Sequence, residues 1–188
     1  MLKQIREFDK HIAVTGFKNV KIKNVEEFLK AVNGEKPIGI DVQFFDARLV
    51  ATWQHLYFAT LNALTAFKNS ENRSKSLAME TMMFASAQRQ IRKAMDFIGI
   101  KPSSSTLALL VIGEKPEDVK KTVFVVARCV NSKPNDTVLE LAQDKTATIC
   151  KAFEIGDKEI ETVAEKENSN RAIVDLVIER MALLSTRK

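Results

Sequence analysis

The sequence predicts a mixed α/β fold, a single domain over residues 1–188 in which a small β-sheet packs with helices, two of them long, central and antiparallel. Three observations predict it. The apolar run TLALLVIG at 106–113 fits an inner strand covered on both faces. Two long helical patterns, about 46–68 and 77–98, are joined by the short polar turn NSENRSKS, so they should pack antiparallel. With 188 residues, 45% of them hydrophobic and 28% charged, the chain can build a real core and is unlike disordered sequence.

Taken in order, two extended segments open the chain, 3–8 and 12–20. The alternation in HIAVTGF supports the second, with Gly16 marking a bulge. Asn24 caps a short helix whose apolar face is Phe28, Leu29 and Val32; Glu27 stands at capping-box spacing and Gly34 closes the helix. IGIDVQFF at 38–45 reads as a buried strand. Asp46 then caps the first long helix, with Leu49, Trp53, Leu56, Ala63 and Phe67 on one stripe and Val50, Tyr57, Leu61 and Leu64 on the next, so it must be covered on two sides. The segment 49–67 has no charged residue, but its threonines, Gln54, His55 and Asn62 make it too polar for lipid. Phe84, Ile91 and Ile98 recur at heptad spacing along the second long helix, and Gly99 with Ile100 stops it. Pro116 at the first helical position, followed by Glu117 and Asp118, opens a helix to about Val130. Residues 131–137 form a loop, and 138–155 fit strand and helix equally. An amphipathic helix at 170–184 closes the chain, with Ile173, Leu176, Val177, Met181 and Leu184 on one side. No internal repeat or low-complexity tract interrupts these elements.

Charge is unevenly placed. The net is +5, and residues 66–101 alone carry +4. Localised positive charge is the footprint of a polyanion partner. Arg89, Arg92 and Lys93 share one helical face at i, i+3 and i+4, while Lys68, Arg73 and Lys75 sit at the turn. Nearby Met79, Met82, Met83 and Met95 are adaptable apolar groups. Such a face suits phosphates and unstacked bases.

Catalytic chemistry is hard to place. Gly34 and Gly39 have P-loop spacing, but Ile40 and Asp41 stand where the lysine and hydroxyl are needed. GxGxxG is missing. The two histidines, His11 and His55, lack a second ligand at i+3 or i+4, and Cys129 and Cys150 form no paired motif, so neither zinc nor any other metal or cofactor is expected. No catalytic residue is assigned. Glu80 reads as a carboxylate stabilising a helix start or as a functional acid. Two cysteines point to a reducing cytosol, and the charged opening MLKQIREFDKHIAV reads as no secretory leader and no membrane anchor. On the residues alone, a binding module, a self-associating domain without nucleic acid, and an enzyme with a Cys–His pair all stay open.

The stretch from Asp46 to Gly113 resembles the PRPK-binding-protein family, the small kinase-associated subunit of the KEOPS (EKC) complex, in its archaeal type. The resemblance lies in an acidic residue, the helix VATWQHLYFATLNALTAF and a basic turn. It continues in Ser76-Leu77 with Glu80, in Gln90-Ile91, and in Ala94 with Ile98-Gly99-Ile100 before a hydrophobic strand. KAFEI at 151–155 and the final helix with Arg180 and Met181 extend it over nearly the whole chain. The resemblance implies a cytoplasmic, non-catalytic subunit without cofactor. Its family binds and stimulates a kinase-like ATPase, which in turn binds a metal-dependent transferase. It also helps recruit tRNA, by its single-stranded CCA end, for threonylcarbamoyladenosine formation beside the anticodon. Carried over to this sequence, the kinase-facing surface is Phe153, Ile155, Ile173, Leu176, Val177, Arg180, Met181 and Leu184. Some of these must be core, because one stripe cannot serve the interior and a partner equally. RNA contact falls, on charge and helical spacing, to Lys68, Arg73, Lys75, Arg89, Arg92 and Lys93.

Overall fold

The computed structural model describes residues 1–164 and 169–186. It is mixed α/β, and the chain divides into two compact units, each assembled from two stretches: Met1–Ala47 with Gly99–Val138, and Arg48–Ile98 with Leu139–Lys188.

The first unit is organised by its most apolar strand. TLALLVIG forms β4 (Thr106–Gly113) at the middle of an antiparallel sheet, between β2 (Lys10–Lys18) and β3 (Asp41–Asp46), with β1 (Leu2–Ile5) at the edge beyond β2. Leu107 through Ile112 are essentially inaccessible, because the pleat sends side chains to both faces and both are covered. On one face Leu107, Leu109 and Val111 join Phe17, Val20, Val32, Phe44, Val119 and Val126 in a continuous core. Two helices supply its other half. Asn24 caps α1 (Val25–Glu35), accepting from the Glu26 and Glu27 amides at 3.0 and 3.2 Å; Gly34 lies inside the helix and does not end it. Pro116 opens α5 (Pro116–Cys129) with Glu117 and Asp118 in its first turn, as the sequence predicts.

Two local expectations fail here. Pairing from His11↔Gly113 to Lys18↔Thr106 runs without a bulge, and Gly16 answers a different constraint. A β-carbon there would collide with the Val138 side chain and the Asn135 carbonyl, and the Asn135 amide donates to the Gly16 carbonyl at 2.7 Å. Asp46 does not cap the long helix, whose N-cap position is taken by Thr52. It is buried at the end of β3, and its Oδ2 accepts the Ser104 hydroxyl at 2.9 Å.

The second unit is helical. After Ala47–Leu49 in a 3-10 turn, α2 (Trp53–Lys68) begins and carries the uncharged segment as a half-buried helix. Among the described residues no helix is long and apolar enough to cross a membrane. The second long helix of the sequence pattern is two helices, α3 (Leu77–Ala85) and α4 (Ile91–Ile98). α3 packs against α2 and ends in a Schellman arrangement: the Gln88 amide donates to Met83 O, the Ala87 amide to Phe84 O, and Ala87 takes the left-handed conformation at φ 50°. The stretch 138–155, ambiguous in sequence, completes a short 3-10 turn (Asp136–Leu139) and then forms α6 (Gln143–Ala152). α7 (Asp157–Val163) and α8 (Ser169–Thr186) complete the unit, and α8 packs on α2, α3, α6 and α7.

Gly16→Ala should lower unfolding free energy by about 2 kcal/mol through overpacking. Denaturant melts check this, and adding Val138→Ala should recover part of the loss.

Candidate functional site

The chemistry-bearing residues of the second unit divide between a buried polar centre and two surfaces. At the centre is His55, on the first turn of α2 and wholly buried. Its Nδ1 accepts the Ala51 amide at 3.2 Å, and its Nε2–H donates to the Ala85 carbonyl at 2.8 Å. Ala85 is the last residue of α3, so the imidazole satisfies a carbonyl that the helix break leaves without a helical donor. This pairing fixes the neutral tautomer. Burial drives the His55 pKa down to about 4; the Ala85 bond opposes the shift and the Lys145 charge adds to it. The edge of Phe153 meets the ring with centroids 5.5 Å apart.

Both ring nitrogens are thus engaged by backbone, which leaves His55 no lone pair for activating a thiol. Burial pushes the Cys129 and Cys150 thiols up from their ordinary range, away from the ionised form a nucleophile needs. Among the described residues no group of three or more His, Cys, Asp or Glu is arranged to hold a metal ion.

Glu80 is completely buried near the start of α3. Its Oε2 accepts the Arg73 and Ser74 amides at 3.0 and 2.7 Å, and Ser76 caps the helix by accepting the Met79 amide at 3.3 Å. The carboxylate therefore shapes the turn before the helix, a role that neither sequence reading anticipated.

That turn carries one basic group. Lys68, Arg73 and Lys75 are exposed ahead of α3, whereas Arg89, Arg92 and Lys93 are exposed beyond its other end. The nine residues of α3, about 13 Å, stand between the two groups along the chain. The i, i+3, i+4 relation fails because Arg89 lies in the break, outside α4. Arg73, Lys75, Arg89, Arg92 and Lys93 make no side-chain ion pair or hydrogen bond among the described residues. Ile91 and Met95, 42% and 50% exposed and one turn apart, stand beside Arg92 and Lys93.

The apolar residues carried over as a kinase-facing surface lie inward. Phe153, Ile155, Ile173, Leu176, Val177, Met181 and Leu184 are all buried, and the first five share one core with Leu141 and Ile149. Arg180 is engaged as well, donating to Glu159 Oε1 at 2.6 Å, and its guanidinium holds the Glu159 carboxyl below the usual range. The stripe with the strongest apolar periodicity closes the unit, because a helix buries its most apolar face.

The flank of α8 beside this stripe faces a groove. Val174 and Ile178 line it with Trp53, Phe58 and Leu141, enclosing about 600 Å³. Phe58 is exposed, and Trp53, Tyr57 and Phe58 make successive edge-on ring contacts at 6.0 and 5.5 Å. At the head of α2 the Thr52 hydroxyl oxygen is buried with no hydrogen-bond partner among the described residues. Sequence reading missed this groove: of its α2 residues, Trp53 stands on the first apolar stripe of the uncharged helix and Phe58 on neither.

Protonating His55 breaks the Ala51 bond. Because the folded pKa lies below the unfolded one, stability is full above pH 6.5 and is lost as pH falls toward 4. From pH 7 to pH 5 this group should cost about 2 kcal/mol, and His55→Gln should flatten the pH dependence of the denaturant melt by that amount.

Comparison with known proteins gives two findings. The family model described as "Kinase binding protein CGI-121" matches residues 17–185. The chain is 29% identical to "Regulatory protein Cgi121" of Methanocaldococcus jannaschii over 151 residues, covering 80% of this chain and 88% of that one.

Proposed function

The chain belongs to the kinase-binding CGI-121 family, and we propose that it is a non-catalytic regulatory subunit that docks a kinase-like ATPase through the groove between α2 and α8. The observation that carries this reading is a mostly apolar groove beside α8, edged by the half-buried ring of Trp53 and the exposed ring of Phe58. Aromatic and aliphatic anchors in a concave site are what dominate binding energy at protein interfaces. The groove's rim carries Glu140 and Asp175 against Arg171, so a partner with a basic rim around an apolar anchor fits best. The buried stripe supports α8 from behind and acts on the partner only by holding that helix in place.

The family's place in KEOPS supplies the remainder of the reading. The ATPase carries the subunit to the transferase that forms threonylcarbamoyladenosine, and the exposed cations take the tRNA. Arg92 and Lys93 provide phosphate contacts, and Ile91 and Met95 provide apolar surface for an unstacked base at the CCA end. Glu80 holds the backbone from which Arg73 and Lys75 project. His55, spent on backbone, and the un-ionised thiols support a role without catalysis.

Ile178→Asp should abolish co-purification with the kinase-like ATPase and leave a cooperative melt within about 1–2 kcal/mol of the parent, because the side chain is only half buried. Val177→Asp should instead unfold the chain, since it places a charge in the core. Retained co-purification by Ile178→Asp would move the interface off the groove. For RNA, Arg89→Glu with Arg92→Glu should weaken tRNA binding and flatten the log–log salt dependence by about 1–2 units. Filter binding across a salt series measures this, and an unchanged slope would remove these two residues from the contact.

A further inference from the structure

The first unit holds a charge pattern that the kinase and the turn cations leave unused. The segment Lys18-Asn-Val-Lys-Ile-Lys-Asn24 alternates, and the structure uses the alternation. Val20 and Ile22 are buried in the unit's core, which forces Lys21 and Lys23 outward on either side of them. Two further loops meet this segment. The Val20 amide donates to the Ser105 carbonyl at 3.0 Å, joining it to the loop that carries Lys101. The Ser132 hydroxyl donates to the Lys18 carbonyl at 3.1 Å, joining it to the loop that carries Lys133. Ser104 fixes the middle loop by donating to buried Asp46 and by accepting the Lys101 amide at 3.1 Å.

Lys18, Lys21, Lys23, Lys101 and Lys133 are all exposed at this end of the sheet. None has a side-chain ion pair or hydrogen bond among the described residues. The three loops, 18–24, 99–105 and 131–135, contain no Asp or Glu. Three acids stand just outside them. Asp136 bonds Thr15, the Gly16 amide and the Met1 ammonium; Glu26 pairs with Lys30; Glu27 lies in the first turn of α1. Elsewhere in the unit Lys10 pairs with Glu114 and Arg128 with Glu35. Five unneutralised lysines on anchored loops repel one another, and a polyanion that replaces their counterions relieves that repulsion.

We propose that this lysine rim is a second RNA contact, one that grips the phosphate backbone without reading sequence. Lysine suits such a grip because it is a point charge on a flexible stem, and the rim presents no aromatic side chain for stacking bases. The inference rests on the RNA reading above and adds to it a surface on the other unit.

The test measures binding of the full chain to an unmodified tRNA transcript, and to the same transcript lacking its single-stranded 3′ end, across a salt series. Lys21→Glu, Lys23→Glu and Lys101→Glu together should weaken binding to both transcripts about tenfold or more and flatten the log–log slope by about 2–3 units. The same three positions changed to Gln should flatten the slope nearly as much, which separates lost contacts from introduced repulsion. All three side chains are exposed, so the thermal melt should be unchanged. If the parent binds tRNA and loses affinity on Arg89→Glu with Arg92→Glu, but the rim variants bind like the parent, the rim proposal falls alone. If the parent binds neither transcript, the RNA reading falls and the rim proposal with it. Rim-dependent binding to phosphatidylserine vesicles with no rim effect on tRNA would also overturn it.

Discussion

One neutral imidazole joins the parts of the helical unit on which the surfaces depend. His55 takes a backbone donor from the approach to α2 and gives its own proton to the carbonyl that ends α3. Without it, a buried amide and a buried carbonyl would each lack a partner, at about 1–3 kcal/mol apiece. The bond also helps fix where α3 stops. Its end at Ala85 frees residues 86–90 to turn, and α4 then presents Arg92, Lys93, Ile91 and Met95 together to solvent. A catalytic histidine would need a free nitrogen; this one exchanges reactivity for geometry.

The same economy governs α8. Its apolar stripe is used once, inward, where Ile173, Leu176 and Val177 pack with Phe153 and Ile155. The proposed docking surface is the less regular flank, Val174 and Ile178, in a groove completed by aromatic residues of α2. A core stripe is continuous because every position along it must exclude water, whereas a docking groove needs only a few anchors and draws them from several elements. Sequence periodicity therefore finds the core of a binding protein more readily than its interface.

This accounts for what the sequence disclosed. β4 was legible because eight consecutive residues without charge admit few alternatives, and α5 because Pro116, Glu117 and Asp118 are local start signals. The broken second helix was not legible. Phe84, Ile91 and Ile98 keep their heptad spacing across the break, no Gly or Pro marks it, and its stabilising partner lies 30 residues earlier in the chain. Asp46 misled for a similar reason: a good capping residue was claimed by a serine 58 positions away. The basic residues were found from charge alone, but the helical face shared by Arg89, Arg92 and Lys93 did not hold, because Arg89 lies in that unseen break. Gly16 was correctly singled out and wrongly explained, because the obstacle to a side chain comes from residues 135 and 138.

In the proposed reading the chain presents surfaces, with the partner ATPase seated on α2 and α8. Amide hydrogen exchange of the full chain, with and without the purified kinase-like ATPase, addresses that directly. Protection should appear at the start of α2 and along α8 and spare β1–β4 and α5. Protection centred on the sheet unit, with α2 and α8 exchanging as in the free protein, would contradict it.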